Sequence, residues 1–150
     1  MSGDKSFFDT NVLLYMHSVA DPGKQAIAQQ VFEECAAGCR IIISTQVVQE
    51  FHSAGTRKLR LPMDQMRLLT TGLLDLPMVE IAAVHILMAL EYEEQYQLSF
   101  WDALILATAN WADVPILYSE DLNHGQLYGG VRVLNPFCRE AGSPGLPSTV

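Results

Sequence analysis

"SFFDTNVLLY", residues 6–15, is the stretch on which the fold turns. Ser6, Phe7 and Phe8 form a short run of strand character, and an apolar run resumes at Val12 after only three polar residues. Asp9, Thr10 and Asn11 occupy that seam. An aspartate there can cap a following helix by accepting from its free backbone N–H groups. The stretch therefore reads as a buried strand passing directly into a helix, with an acid at the junction.

The same alternation recurs outward from this point. Short runs rich in aromatic and β-branched residues appear at "SFF", "RIIIS", "PMVEI", "VPILYS" and "VRVL". Between them lies "KQAIAQQVFEECAAG", with Ile27, Val31, Phe32 and Cys35 on one helical face, and "TQVVQEFHSAGTRKL", with Val47, Val48, Phe51 and Ala54 likewise. "DQMRLLTTGLL", "AAVHILMALEYEEQYQ" and "FWDALILATANWAD" complete the helical set. Strands alternating with helices predict an α/β fold, a parallel sheet with helices on its faces.

Composition bounds the rest. With 150 residues, 49% hydrophobic and 17% charged, the chain suits one packed domain, and some of its apolar surplus is expected at an interface. No segment reaches the roughly 18 to 20 uninterrupted apolar residues of a membrane span, and a cytoplasmic protein without membrane association is expected. Cys35, Cys39 and Cys138 are odd in number and widely spread, which argues against a disulfide framework or zinc site and for core thiols. The net charge of -8 would repel nucleic acid unless cations or a local basic patch intervene.

In a parallel α/β sheet, ligands bind where strands end and the chain turns into helices. Asp9 ends the first strand, Asp121 lies just past "VPILYS", Asp102 sits in the first turn of the helix opened by Ser99, and Glu50 follows "RIIIS". Each has a plain structural explanation: a cap at Asp9, a capping box at Ser99-x-x-Asp102, a turn at Asp121, a solvated helix face at Glu50. Taken together, four acids spaced 41, 52 and 19 residues apart, each following a strand or opening the helix after one, are expected to converge. Converging carboxylates repel unless a divalent cation neutralises them. The donors are hard oxygens, and Thr10, Asn11 and Ser119 add neutral oxygen atoms beside them, which favours Mg²⁺ or Mn²⁺. Magnesium held by carboxylates commonly acts on phosphate oxygens, so a phosphate-bearing substrate follows.

"FFDTNVLLY", "VVQEF", "FWDALILATA" and "LYSEDLNHG", in that order and spacing, strongly resemble the PIN-domain ribonucleases, in particular the VapC-type toxins of bacterial toxin–antitoxin pairs. The likeness spans residues 6 to 135. It implies a single three-layer α/β domain over residues 1–137, with a central, mostly parallel sheet of about five short strands flanked by helices. Residues 138–150, rich in small residues and proline, are expected to form a flexible tail. The resemblance also implies an acidic quartet at Asp9, Glu50, Asp102 and Asp121 that binds Mg²⁺ or Mn²⁺, with Asn11 and Ser119 as polar neighbours and Glu120 as an alternative acid. The implied activity is endonucleolytic cleavage of single-stranded or looped RNA by a protein that is usually dimeric and silenced by an antitoxin.

Metal-activated water attacking in line would leave a 5′-phosphate and a 3′-hydroxyl. His17, His52, His85 and His124 show no spacing suited to an acid–base pair for attack by the ribose 2′-hydroxyl. His85 reads as packed within "AAVHILMAL" and His124 as a turn residue. Arg57 lies seven residues after Glu50, on the same face if the helix continues through Gly55, so Arg57, Lys58 and Arg60 are candidates for holding an RNA backbone. Those cations would equally suit a solvated helix end. "IAAVHILMAL", residues 81–90, is apolar nearly all round and suits a homodimer contact, an antitoxin groove or a helix beneath the sheet. A phosphoaspartate receiver fits poorly, for no lysine follows "VPILYS" or "VRVL" closely. A non-catalytic RNA-binding or scaffold module of the same fold is the remaining alternative.

Overall fold

The computed structural model describes residues 3–138. Its elements run β1 (Ser6–Phe8), α1 (Thr10–Tyr15), α2 (Pro22–Ala37), β2 (Ile41–Ser44), α3 (Thr45–Lys58), α4 (Met63–Leu73), β3 (Met78–Val79), α5 (Ala83–Tyr96), α6 (Phe100–Trp111), β4 (Ile116–Tyr118), β5 (Leu127–Tyr128) and β6 (Val131–Leu134). The strands form one sheet in the order β3-β2-β1-β4-β6-β5. Every pairing is parallel except β5 with β6.

Burial explains why β1 sits at the centre. Successive strand residues point to opposite faces, and Ser6, Phe7 and Phe8 are all 0% exposed, so both faces of the sheet are covered. Each buried phenylalanine contributes about 2 kcal/mol of hydrophobic stabilisation. The flanking strands supply Ile41, Ile43, Leu117 and Val133 to the same core. The faces expected for α2 and α3 are the ones buried: Val31 and Cys35 on α2, and Val47, Val48 and Phe51 on α3.

Four features differ from expectation or resolve it. A sixth strand, β5, returns antiparallel through the Gly129-Gly130 turn, pairing Tyr128 with Val131. Gly129 has φ +59°, and a Cβ there would run into the Asn110 amide, so glycine is required. Helix α5 is peripheral: His85 and Ala89 are buried against α6 and its surroundings, while Val84, Ile86, Leu87 and Leu90 remain exposed. His85 Nδ1 accepts from the Ala82 N–H at 2.9 Å, closing the start of α5, which the Ala82 side chain cannot do. Only Cys35 is a fully buried thiol; Cys39 is exposed, because it lies beyond the last turn of α2 at φ 55°. Of the expected tail, residues 138–150, all but Cys138 lies outside the described residues. Among the described residues, no helix is long and apolar enough to cross a membrane.

The topology reverses between β1 and β4. From β1 the chain moves outward through β2 to β3; it then crosses to the other side of β1 for β4 and moves away to β6. The carboxyl ends of β1 and β4 thus border a switch point, the position where open α/β sheets bind ligands.

Candidate functional site

Asp9 leaves β1 at that switch point. Its N–H donates to Tyr118 O at 3.0 Å, which extends the β1–β4 pairing by one rung and fixes the carboxylate at the sheet edge. Oδ1 accepts from the Thr10 N–H at 2.7 Å, and Oδ2 accepts from the Ser119 hydroxyl at 2.8 Å. Burial pushes the Asp9 pKa up to about 7 despite those two hydrogen bonds, with the charges of Asp121 and Asp102 acting in the same direction.

The other acids arrive from three further elements. Asp102 is half-buried in the first turn of α6, and its backbone N–H donates to Ser99 Oγ at 3.2 Å, so the cap of α6 is made by Ser99. Its carboxyl is raised above the ordinary range by burial and then by Asp121, partly offset by the Ser99 hydroxyl. Asp121, exposed, accepts from Asn11 Nδ2 at 3.1 and 3.3 Å. Its N–H donates to Ser119 Oγ at 3.1 Å, so one buried hydroxyl links two acids. Glu50 faces the same space from α3, with Oε1 accepting from Thr10 Oγ1 at 2.8 Å and Oε2 from Gln46 Nε2 at 3.2 Å.

One oxygen from each of Asp9, Asp102 and Asp121 lies within 4.8 Å of the other two; Glu50 is outside that tight group. All four acids line one cavity of about 280 Å³, together with Thr10, Asn11, Ser53, Arg57 and Trp101. No histidine lines it. The ion pair found among the described residues is Lys24 with Glu120, so none of the four acids is neutralised by a lysine or arginine salt bridge there. Three carboxylates sharing a space this small, with Asp9 buried and Asp102 half-buried, fit a hard divalent cation, which would remove their mutual repulsion.

The remaining candidates separate. Glu120 accepts from Lys24 Nζ, which also donates to the Tyr15 hydroxyl at 3.3 Å, and it does not line the cavity. Arg57 borders the acid cavity, because α3 does continue through Gly55. Lys58 lines a neighbouring hollow with Asn11, Leu14, Tyr15, Ser18 and Leu59, and Arg60, past the end of α3 at φ 56°, lines neither. His124 Nδ1 accepts from the Asn135 N–H at 3.0 Å and ties its loop to the end of β6. Gln46 and Trp101 were not singled out from the sequence. Gln46 was legible in principle, since it precedes Glu50 by four residues on one helical face.

The fold is similar to several solved structures. Mycobacterium tuberculosis VapC20, a sarcin–ricin loop cleaving toxin, aligns with TM-score 0.64 and 18% identity over 78% of this chain and 90% of that one. A toxin–antitoxin complex from Klebsiella pneumoniae aligns with TM-score 0.67 and 22% identity over 89% and 98%. VapBC2 from Rickettsia felis, bound to a DNA fragment from its promoter, aligns with TM-score 0.63 and 17% identity over 85% and 96%. No curated protein sequence gives a significant match. The PIN domain matches residues 6–129, a span that contains all four acids and every strand up to β5, and the chain belongs to that family.

Proposed function

We propose that this chain is a Mg²⁺- or Mn²⁺-dependent endoribonuclease and the toxin of a VapBC-type toxin–antitoxin pair, acting in the cytoplasm. The observation that carries the reading is the meeting of Asp9, Asp102 and Asp121 within 4.8 Å at the sheet's switch point. Asp9, Asp102 and Asp121 would hold the ion, which when bound supplies Lewis-acid polarisation of a phosphodiester and a more acidic water nucleophile. Ser119 and the Thr10 N–H orient Asp9, while Asn11 orients Asp121. Glu50, steadied by Thr10 and Gln46, is the group to take the proton released by attacking water. Arg57, at the cavity wall, offsets the charge of the incoming phosphate, with Lys58 and Arg60 further along the strand's path.

Incubating a mixed RNA pool with the protein and Mg²⁺ should give fragments bearing 5′-phosphate and 3′-hydroxyl ends, and both EDTA and Asp9→Asn should abolish them. Intact RNA under every condition would overturn the assignment in favour of a non-catalytic RNA-binding module. The antitoxin partner is supported by the likeness to toxin–antitoxin complexes. Induction in a bacterial host should arrest growth, and Asp9→Asn should not. The exposed Val84, Ile86, Leu87 and Leu90 on α5 suit a homodimer contact, which light scattering with Leu87→Glu tests.

A further inference from the structure

We infer that Trp101 is a stacking platform for one unpaired nucleobase beside the acid cavity, an inference that rests on the RNA-cleaving reading and deepens it. Trp101 is 60% exposed, although Ala103–Ala109, just beyond it on α6, are all buried. Trp101 lines the same cavity as Asp9, Glu50, Asp102 and Arg57.

The ring is held ready for a planar ligand. It meets Phe100 edge to face, centroids 5.1 Å apart at 79°, and Phe100 is itself packed against Ala89, Ala103, Leu104 and Ala107. The Trp101 carbonyl accepts from Gln46 Nε2 at 3.2 Å, and the same amide nitrogen donates to Glu50. Gln46 is 3% exposed, so one buried side chain fixes the platform's backbone and an acid of the cavity together. A base seated on the indole would lie next to the phosphate that reaches the carboxylates.

Charge explains why such a contact is needed. The chain carries -8 net, and Arg57 is the one cation bordering the acid cavity among the described residues. Phosphate attraction is therefore weak, whereas stacking on an aromatic face does not depend on charge and tolerates any base. Only a base free of its own helix can stack in this way, which selects single-stranded or looped RNA over duplex.

The chain has two tryptophans, so Trp111→Phe leaves Trp101 as the sole indole reporter. A ten-nucleotide single-stranded RNA of mixed sequence, titrated with Ca²⁺ replacing Mg²⁺, should quench its fluorescence saturably. The same RNA annealed to its complement should not. Monitored by a fluorescent label on the RNA, Trp101→Ala and Trp101→Leu should each weaken binding by about tenfold, while Trp101→Phe stays within about threefold. Thermal melts should be unchanged in all three. Absence of quenching, or binding by Trp101→Leu equal to the parent's, would overturn the inference. The readout needs no cleavage: intact RNA with Mg²⁺ sinks the nuclease reading, and a silent indole sinks this one.

Discussion

Ser119 is wholly buried and makes two hydrogen bonds at once, donating to Asp9 Oδ2 and accepting from the Asp121 N–H. Ser119→Ala leaves a buried carboxylate oxygen without its donor, which should cost about 1–3 kcal/mol in urea unfolding. It should also weaken Mg²⁺ binding by about 10- to 100-fold in calorimetric titration, because ligand orientation is lost. Unchanged affinity would reduce Ser119 to packing. Asp102→Asn separates chemistry from capping. The Ser99 hydroxyl, not the Asp102 carboxylate, accepts from the backbone at the start of α6, so the fold should survive within about 0.5 kcal/mol. RNA cleavage should nonetheless fall by about 100-fold or more. Unfolding of this variant would assign Asp102 a structural role.

At the scale of elements, α3 carries Glu50 and Arg57 on the cavity wall and Gln46 bonded to Glu50, and it delivers Arg57 only by running unbroken through Gly55. A glycine inside a helix costs about 1 kcal/mol relative to alanine, so its presence there has a packing reason. A Cβ at position 55 would run into Met66 Cε and lie 3.3 Å from Leu14 Cδ2. Glycine thus allows α1, α3 and α4 to meet closely, and α1 opens directly after Asp9. Gly55→Val should overpack this junction and lower stability by about 2 kcal/mol, seen as a lower urea midpoint with unchanged slope. RNA cleavage should decline with it, since displacing α1 moves Thr10 and Asn11. An unaltered midpoint would mean that Met66 swings aside freely.

For the molecule as a whole, the acid cluster links stability to pH. An aspartate in the unfolded chain titrates near about 3.9, whereas Asp9 in the metal-free fold titrates at about 7. Between those values the native state holds a proton that the unfolded state has lost. Its contribution is therefore fully present below about pH 4 and disappears as pH rises through 7. Asp102, also raised, acts with the same sign. In EDTA the melting temperature should fall from pH 5.5 to 8, and Asp9→Asn should flatten most of that slope. Added Mg²⁺ should raise the melting temperature more at pH 8 than at pH 5.5, since carboxylate ligands bind it deprotonated. Equal increments at the two pH values would count against a metal held by Asp9.

Strand and helix alternation, the caps at Asp9 and Ser99, and the placing of Asp9 and Asp121 just past β1 and β4 were legible in the sequence, because each is written in neighbouring residues; Asp102, by contrast, opens a helix that follows α5 rather than a strand. Period-two and period-3.6 patterns are local, and one parallel sheet carries its strand ends to a common edge. β5 escaped notice because a two-residue strand has no period, although Gly129-Gly130 signalled its hairpin. Other outcomes depend on groups distant in the chain. Lys24, 96 residues before Glu120, draws that acid aside while its neighbour Asp121 lines the cavity. The basic run divides because Arg57 still lies on α3 beside the acids and Arg60 lies beyond its end. An all-round apolar α5 is peripheral because α6 packs against only one of its sides. Local chemistry thus determined which elements form and where acids stand along them; only tertiary contacts decided which side chains share a cavity, since burial and repulsion act through space.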